Sequence, residues 1–361
     1  MFRFLYSFGA EKVGCKLCGK ESIEISKALG ICAQCVKDEW RKAERLVKVS
    51  HYEIRKKFSM PVEPPKSSNG ISCGLCINNC KLKIDEVGYC GIRVNRAGKI
   101  ESLAGNNNAV LEWYYDLLPT NCVAMEFCEN CKLGYPYKNL AVFYGACTFN
   151  CIFCQNWHYR SLLKALKPAM SAKELASKTD ENTKCVCYFG GDPTPQILHA
   201  IETSEIILQT RNDVRICFET NGSLNRGVLK KASQLAFQSR GTIKFDLKAY
   251  TEELNIALCG VSNKNTFDNF KWLAENFSSD FNFLVASTLL VPGYIDEEEV
   301  EGISKFISAL NKKIPYNLLA FHPQFYMSDQ PTTSREHAFK CYKVATKYLE
   351  NVRLGNVHLL V

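Results

Sequence analysis

From position 140 onward the chain alternates short apolar, β-rich runs with stretches of helical period. The runs lie at 140–146, 185–191, 214–220, 242–247, 283–291 and 316–321. Helical patterns occupy 195–210, 226–239, 266–277, 296–311 and 334–350. This alternation predicts parallel strands joined by helical crossovers. Six units fit an α/β fold of the partial (β/α)6, TIM-like barrel type, whose functional residues stand at the C-terminal ends of the strands. The first 139 residues read differently. A helix is predicted over 36–58, with Leu46, Val47 and Ile54 as a narrow apolar stripe and eight basic residues from Lys37 to Lys57. A Pro/Ser/Gly-rich linker follows at 60–70. A short hairpin is predicted over 81–87, and two strands around a Gly turn over 91–100. These patterns divide the chain into 1–60, 61–139 and 140–361.

Cysteine changes the picture most. Nineteen of the 361 residues are Cys, and fourteen of them lie between positions 15 and 154 in tight clusters. Such grouping argues for metal rather than a disulfide framework. No apolar run approaches the roughly 20 residues of a membrane span. The apolar stretch at 2–8 is too short for a signal peptide, so a cytoplasmic protein without membrane contact is expected.

Cys15 and Cys18, followed after thirteen residues by Cys32 and Cys35, form two C-x2-C knuckles. That spacing predicts a tetrahedral zinc site of the ribbon type, with a rubredoxin-like iron site or a cluster as the alternative. A module this small cannot bury much core, so metal supplies its folding energy. Cys73, Cys76, Cys80 and Cys90 can close one four-thiolate site, where zinc and an auxiliary [4Fe–4S] cluster both fit. Cys122, Cys128 and Cys131 form a third set that needs a fourth ligand from elsewhere. The scattered Cys185, Cys187, Cys217, Cys259 and Cys341 are expected to be mostly core thiols, with Cys259, placed in a loop, a candidate substrate-side thiol.

Directly after the run at 140–146 stand Cys147, Cys151 and Cys154, at C-x3-C-x2-C spacing with Phe153 before the last. Thiolates so spaced can bind three corners of a cubane cluster. A cluster closed by four cysteines transfers electrons, whereas one held by three keeps an iron open. The competing reading is a zinc knuckle or incidental thiols. Cys147, Cys151, Phe153 and Cys154 match a CxxxCxΦC signature, and this loop resembles that of the radical S-adenosylmethionine (SAM) superfamily. The stretch from Cys73 to Asn95 also resembles the front of proteins similar to pyruvate formate-lyase activating enzyme, including those associated with AMMECR/Memo proteins. The module at Cys15–Cys35 and the Cys122 set are additions to that pattern.

The resemblance implies a [4Fe–4S] cluster on Cys147, Cys151 and Cys154, with SAM chelating the open iron. One electron, from reduced ferredoxin or flavodoxin, then cleaves SAM to methionine and a 5′-deoxyadenosyl radical that abstracts hydrogen from a substrate. It also gives roles to the strand ends. Gly190 and Gly191, followed by Asp192, match the segment that holds the SAM amino group. Glu219, Thr220 and Asn221 match a segment lining the SAM site. Asp246 and Lys248 match a segment contacting SAM, and alternation puts both on one side of their strand. The segment from Val291 to Asp296 is expected near the adenosine, with Asp296 capping the next helix. His322, at the end of the sixth run, is a candidate contact to nucleoside or substrate.

The charge excess lies in front. Residues 1–139 carry 21 Lys+Arg against 15 Asp+Glu, and the remainder 24 against 22. A basic front can face RNA or an acidic protein surface, or be an ordinary solvated helix. Three functions therefore stand open: a radical SAM enzyme acting on a protein as the activating enzymes do, the same chemistry on RNA or tRNA, and a non-catalytic iron–sulfur carrier or binding module.

Overall fold

A computed structural model describes residues 11–105, 107–120 and 122–361. The apolar stretch at 2–8 lies outside the described residues. The front begins with a two-stranded antiparallel ribbon, β1 (Val13–Gly14) and β2 (Glu21–Ser22), followed by helices α1 (Ala33–Asp38) and α2 (Trp40–Lys57). Where one helix was expected over 36–58, the chain breaks at Glu39, which takes a non-helical conformation. The α2 stripe buries Ala43, Val47, His51, Ile54 and also Arg55. Four small strands come next: β3 (Ile71–Ser72), β4 (Lys81–Leu82) and the hairpin of β5 (Arg93–Arg96) with β6 (Lys99–Ser102). The hairpin expected at 81–87 does not form, because β4 pairs back to β3 across the cysteine turn.

Strand β7 (Asn108–Leu117) then runs antiparallel to β8 (Lys138–Tyr144). It belongs to the main sheet, so the division at 139/140 cuts through that sheet. After β8 come α3 (Tyr159–Ala165), β9 (Ala169–Ser171) and α4 (Ala172–Ala176), the last opened by a capping box of Ser171 and Glu174. The alternation continues as β10 (Thr183–Gly190), α5 (Ile197–Thr210), β11 (Arg215–Thr220), α6 (Arg226–Gln238) and β12 (Ile243–Asp246). Helices α7 (Glu252–Cys259) and α8 (Lys264–Asn276) precede β13 (Leu284–Leu290). The chain ends with α9 (Glu297–Asn311), β14 (Tyr316–Ala320), α10 (Arg335–Ala345) and β15 (Val352–Gly355).

The sheet order is β15-β14-β13-β12-β11-β10-β8-β7-β9. From β8 to β15 every neighbouring pair is parallel. This is an α/β fold with a mostly parallel central sheet, consistent with a partial barrel. The sixth helical unit returns to a further strand, β15. Among the described residues no helix is long and apolar enough to cross a membrane.

The front module packs against the main α/β unit, with α1 and α2 against α7. The Tyr294 hydroxyl, fully buried, accepts from the Ser26 amide at 3.0 Å and donates to the Ile31 carbonyl at 3.0 Å. Lys37 lies within 3.5 Å of Asp296, Glu298 and Glu299. The segment expected near adenosine is therefore a seat for the front module. Asp296 does cap α9, accepting from the Glu299 amide at 3.1 Å.

Candidate active site

The cysteine loop is held by the end of a helix. The last carbonyls of α7 have no partners within the helix. They accept from the Ile152 and Asn150 amides, at Leu258 and Cys259, and from His51 Nε2 at Ala257. Gly260 ends α7 at a φ of +72°, and a Cβ there would stand 3.0 Å from His51 Nδ1. The other imidazole nitrogen of His51 accepts from the Asn150 amide at 2.8 Å, and Arg160 donates to the Asn150 carbonyl oxygen at 2.9 Å. With both nitrogens satisfied in the neutral form, burial lowers the His51 pKa to about 4. Cys259 lies in α7 rather than in a loop. It is fully buried and donates to Cys151, which, with Lys248 nearby, holds the Cys151 thiol below its ordinary range.

Cys147, Cys151 and Cys154 line one cavity that is open to solvent. No fourth cysteine lines it among the described residues. Phe153 is buried and lines the cavity, with the Lys248 ammonium 5.7 Å from its ring. Gly190 and Gly191 also line it, and both press on the loop's own backbone. A Cβ would meet Tyr144 N at 2.4 Å from Gly190 and Ala146 O at 2.3 Å from Gly191. The pair is therefore required for strand-to-loop packing whatever else it binds.

The polar walls divide into committed and available groups. Asp192 accepts from the Thr194 and Asn221 amides and from the Thr220 hydroxyl, at 2.7–3.1 Å. Its carboxylate, Thr220 and Asn221 tie the ends of β10 and β11 together. The Asn221 amide donates to Thr148 in the cysteine loop at 2.8 Å. Asp246 and Lys248 form an ion pair of 2.8 Å, with Ser287 donating to the other carboxylate oxygen. Burial alone would depress the Lys248 ammonium, but the Asp246 carboxylate holds it well above its ordinary value. Glu219 pairs with Lys244 at 2.8 Å. His322 is exposed and does not line the cavity. β14 ends at Ala320, and the chain turns outward two residues short of the site.

Two neighbours were missed in the sequence. Arg160 is 2% exposed, yet its Nε and Nη1 have no hydrogen-bond partner, and its charge acts on Cys151 and Cys154. The hydroxyl of Tyr159, also lining the cavity, is buried without a partner. Buried donors left free beside three thiolates fit a negatively charged cluster with acceptor sulfides. Nothing but a lone Arg in the helix after the loop marked this in the sequence.

The remaining cysteine sets differ in spread. The sulfurs of Cys15, Cys18, Cys32 and Cys35 all lie within 4.8 Å of one another, with Cys18 and Cys32 3.8 Å apart. A tetrahedral ion with metal–sulfur bonds of about 2.3 Å sets sulfurs about 3.8 Å apart. Cys73, Cys76, Cys80 and Cys90 line one small space next to Thr148. Burial pushes Cys73 up to about 11. Cys122, Cys128 and Cys131 meet the buried Cys185, Cys187 and Cys217 around another space.

The radical SAM superfamily model matches residues 141–307. A Methanocaldococcus jannaschii protein provisionally named a glycyl-radical enzyme activating enzyme is 27% identical over 257 residues, covering 68% of this chain and 92% of that one. The isethionate sulfite-lyase activating enzyme of Desulfovibrio desulfuricans is 28% identical over 135 residues, covering 37% and 40%. Among solved structures, a domain of pyruvate-formate lyase-activating enzyme from Bacteroides vulgatus is similar at 21% identity. It covers 47% of this chain and 98% of that one, with a TM-score of 0.39.

Proposed function

Residues 141–307 are a radical SAM superfamily domain, and from this we propose that the protein is an enzyme that cleaves SAM reductively and acts on a protein substrate, as glycyl-radical activating enzymes do. The observation that carries the chemistry is three cysteines, and no fourth among the described residues, on a cavity walled by a Gly-Gly turn and a half-buried ion pair. Cys147, Cys151 and Cys154 would hold the [4Fe–4S] cluster and leave one iron open. When bound, cluster and SAM supply the 5′-deoxyadenosyl radical that takes hydrogen from the substrate.

The chain's own residues do the rest. The exposed edge of the Gly190–Gly191 turn offers backbone groups to the SAM amino group. Asp246, Lys248 and Glu219 supply charge for its ribose and carboxylate, and Phe153 closes the apolar side. Asp192, Thr220 and Asn221 line the same cavity and also hold these strand ends in place. Arg160 offsets cluster charge from behind. A reduced ferredoxin or flavodoxin would deliver the electron.

The relatives support a protein substrate, because two carry activating-enzyme names. RNA as substrate draws less support. Arg55 is buried against Tyr89, Lys37 is committed to α9, and Lys42, Lys48 and Lys56 pair with glutamates on or beside α2. Anaerobically reconstituted protein with dithionite should convert SAM to 5′-deoxyadenosine, and Cys151→Ala should abolish this. Unchanged turnover in that variant would refute the assignment. Capture of a glycyl-radical partner would fix the substrate class, whereas salt-sensitive tRNA binding would reverse it.

A further inference from the structure

A second space lies inside the barrel, adjoining the first. The segment between β7 and β8 walls it on one side and carries Cys122, Cys128 and Cys131. Alternation along β10 and β11 points Cys185, Cys187 and Cys217 into it. Six of the nineteen thiols thus face one volume. Packing alone has no reason to choose cysteine six times here, since Leu or Ile would bury more apolar area.

The space is also built for charge. Lys244 is 2% exposed and its ammonium stands 3.1 Å from both the Cys122 and Cys187 sulfurs, besides its bond to Glu219. An ammonium buried among neutral thiols is costly, and thiolate charge relieves that cost. Asn139 is 4% exposed and lines the same space, and its side-chain oxygen has no hydrogen-bond partner. The sulfurs are spread more widely than those of the ribbon. Among the described residues the ribbon's four are the set that falls within 4.8 Å. A single ion is therefore too small for this donor set, whereas a cluster with its irons at the corners is not.

We propose that Cys122, Cys128, Cys131 and Cys185 hold a second iron–sulfur cluster inside the barrel, beside the SAM cavity. Cys185 is assigned as the fourth ligand because, of the three strand cysteines lining the space, its sulfur is the one without a hydrogen bond among the described residues. Lys244 donates to Cys187, and the Thr242 amide donates to Cys217 at 3.4 Å. Cys185 is buried with no hydrogen bond among the described residues. Lys244 and Glu219 line both spaces and form the wall between them. This site does not rest on the SAM reading.

The test uses full-length protein reconstituted anaerobically with iron and sulfide. Its parent variant is Cys147→Ala/Cys151→Ala/Cys154→Ala, which removes the first cluster. Adding Cys128→Ser/Cys131→Ser should remove about four further iron atoms per chain. It should also remove a reduced-state EPR signal that SAM does not shift. Adding Cys185→Ala to the parent should do the same, while adding Cys217→Ala should not. Because each variant is compared with the parent, iron held at the Cys73 set cancels. Circular dichroism excludes loss of fold, and the near-isosteric Ser variants keep the test open if Ala variants fail to fold. Unchanged iron in the Cys128/Cys131 variant, or zinc lost there in place of iron, overturns the proposal. Iron retained on Cys185→Ala overturns the four-ligand assignment. Failure of wild-type protein to cleave SAM would sink the enzyme reading and leave this iron difference standing.

Discussion

His51 stands at one end of a hydrogen-bonded line through Asn150 to Arg160, and it has a measurable cost in acid. Its native pKa of about 4 lies below the 6.5 of the unfolded side chain. Between those values the unfolded chain binds a proton that the native ring refuses, so stability rises with pH across this window and is lost as pH falls from about 6.5 to about 4. The full loss amounts to about 3 kcal/mol. Denaturant midpoints taken at pH 7, 6, 5 and 4.5 should fall, and His51→Leu should flatten that slope. Arg160 ends this line beside the cysteines of the proposed cluster. Arg160→Gln removes a buried cation beside it, so the midpoint potential of the SAM-site cluster should move to more negative values in an EPR-monitored titration. Gly191→Ala should lower iron content and cost about 1–3 kcal/mol, because its Cβ meets backbone that cannot step aside. Gly227→Ala, with nothing within 4 Å, is the control and should be neutral or stabilising. At this scale the cysteine loop and the polar strand ends were legible, since spacing and period 2 are local signals. His322 was misplaced because where a strand stops depends on its neighbours. Cys185 and Cys187 lie on β10 and Cys217 on β11, and only the fold brings them to Cys122.

Among elements, the six runs from 140 onward became strands close to their expected bounds, because buried parallel strands are dense in apolar residues. β7 was missed for the opposite reason. Half-exposed at the edge of the parallel set, it mixes Glu112, Tyr114, Tyr115 and Asp116 with apolar positions and sits between two cysteine sets. α7 is short and follows a strand end, so its pattern merged with the loop. The seat at Tyr294 was unreadable because its partner lies 268 residues away. Tyr294→Phe should cost about 1–3 kcal/mol by leaving the Ser26 amide and Ile31 carbonyl unpaired. Limited proteolysis should then cut first within the front 60 residues, before the barrel.

For the whole molecule, the three cysteine-rich pieces are not appendages. The Cys73–Cys80 turn bonds to the loop after β11 and to Thr148, and α2 bonds to Asn150, so the cysteine loop is enclosed from two sides by the front of the chain. His51 and Asn150 are 99 residues apart in sequence, and α2 is synthesised well before the loop it will cover. Maturation is then a contest between iron delivery and closure. Before α2 docks, the loop is an open segment that a donor can reach. Afterwards, the loop is reached only through the mouth of the cavity it lines. Protein folded in iron-free medium should then take up iron more slowly than protein folded with iron present, and the timing of iron supply would become part of how the proposed site is filled.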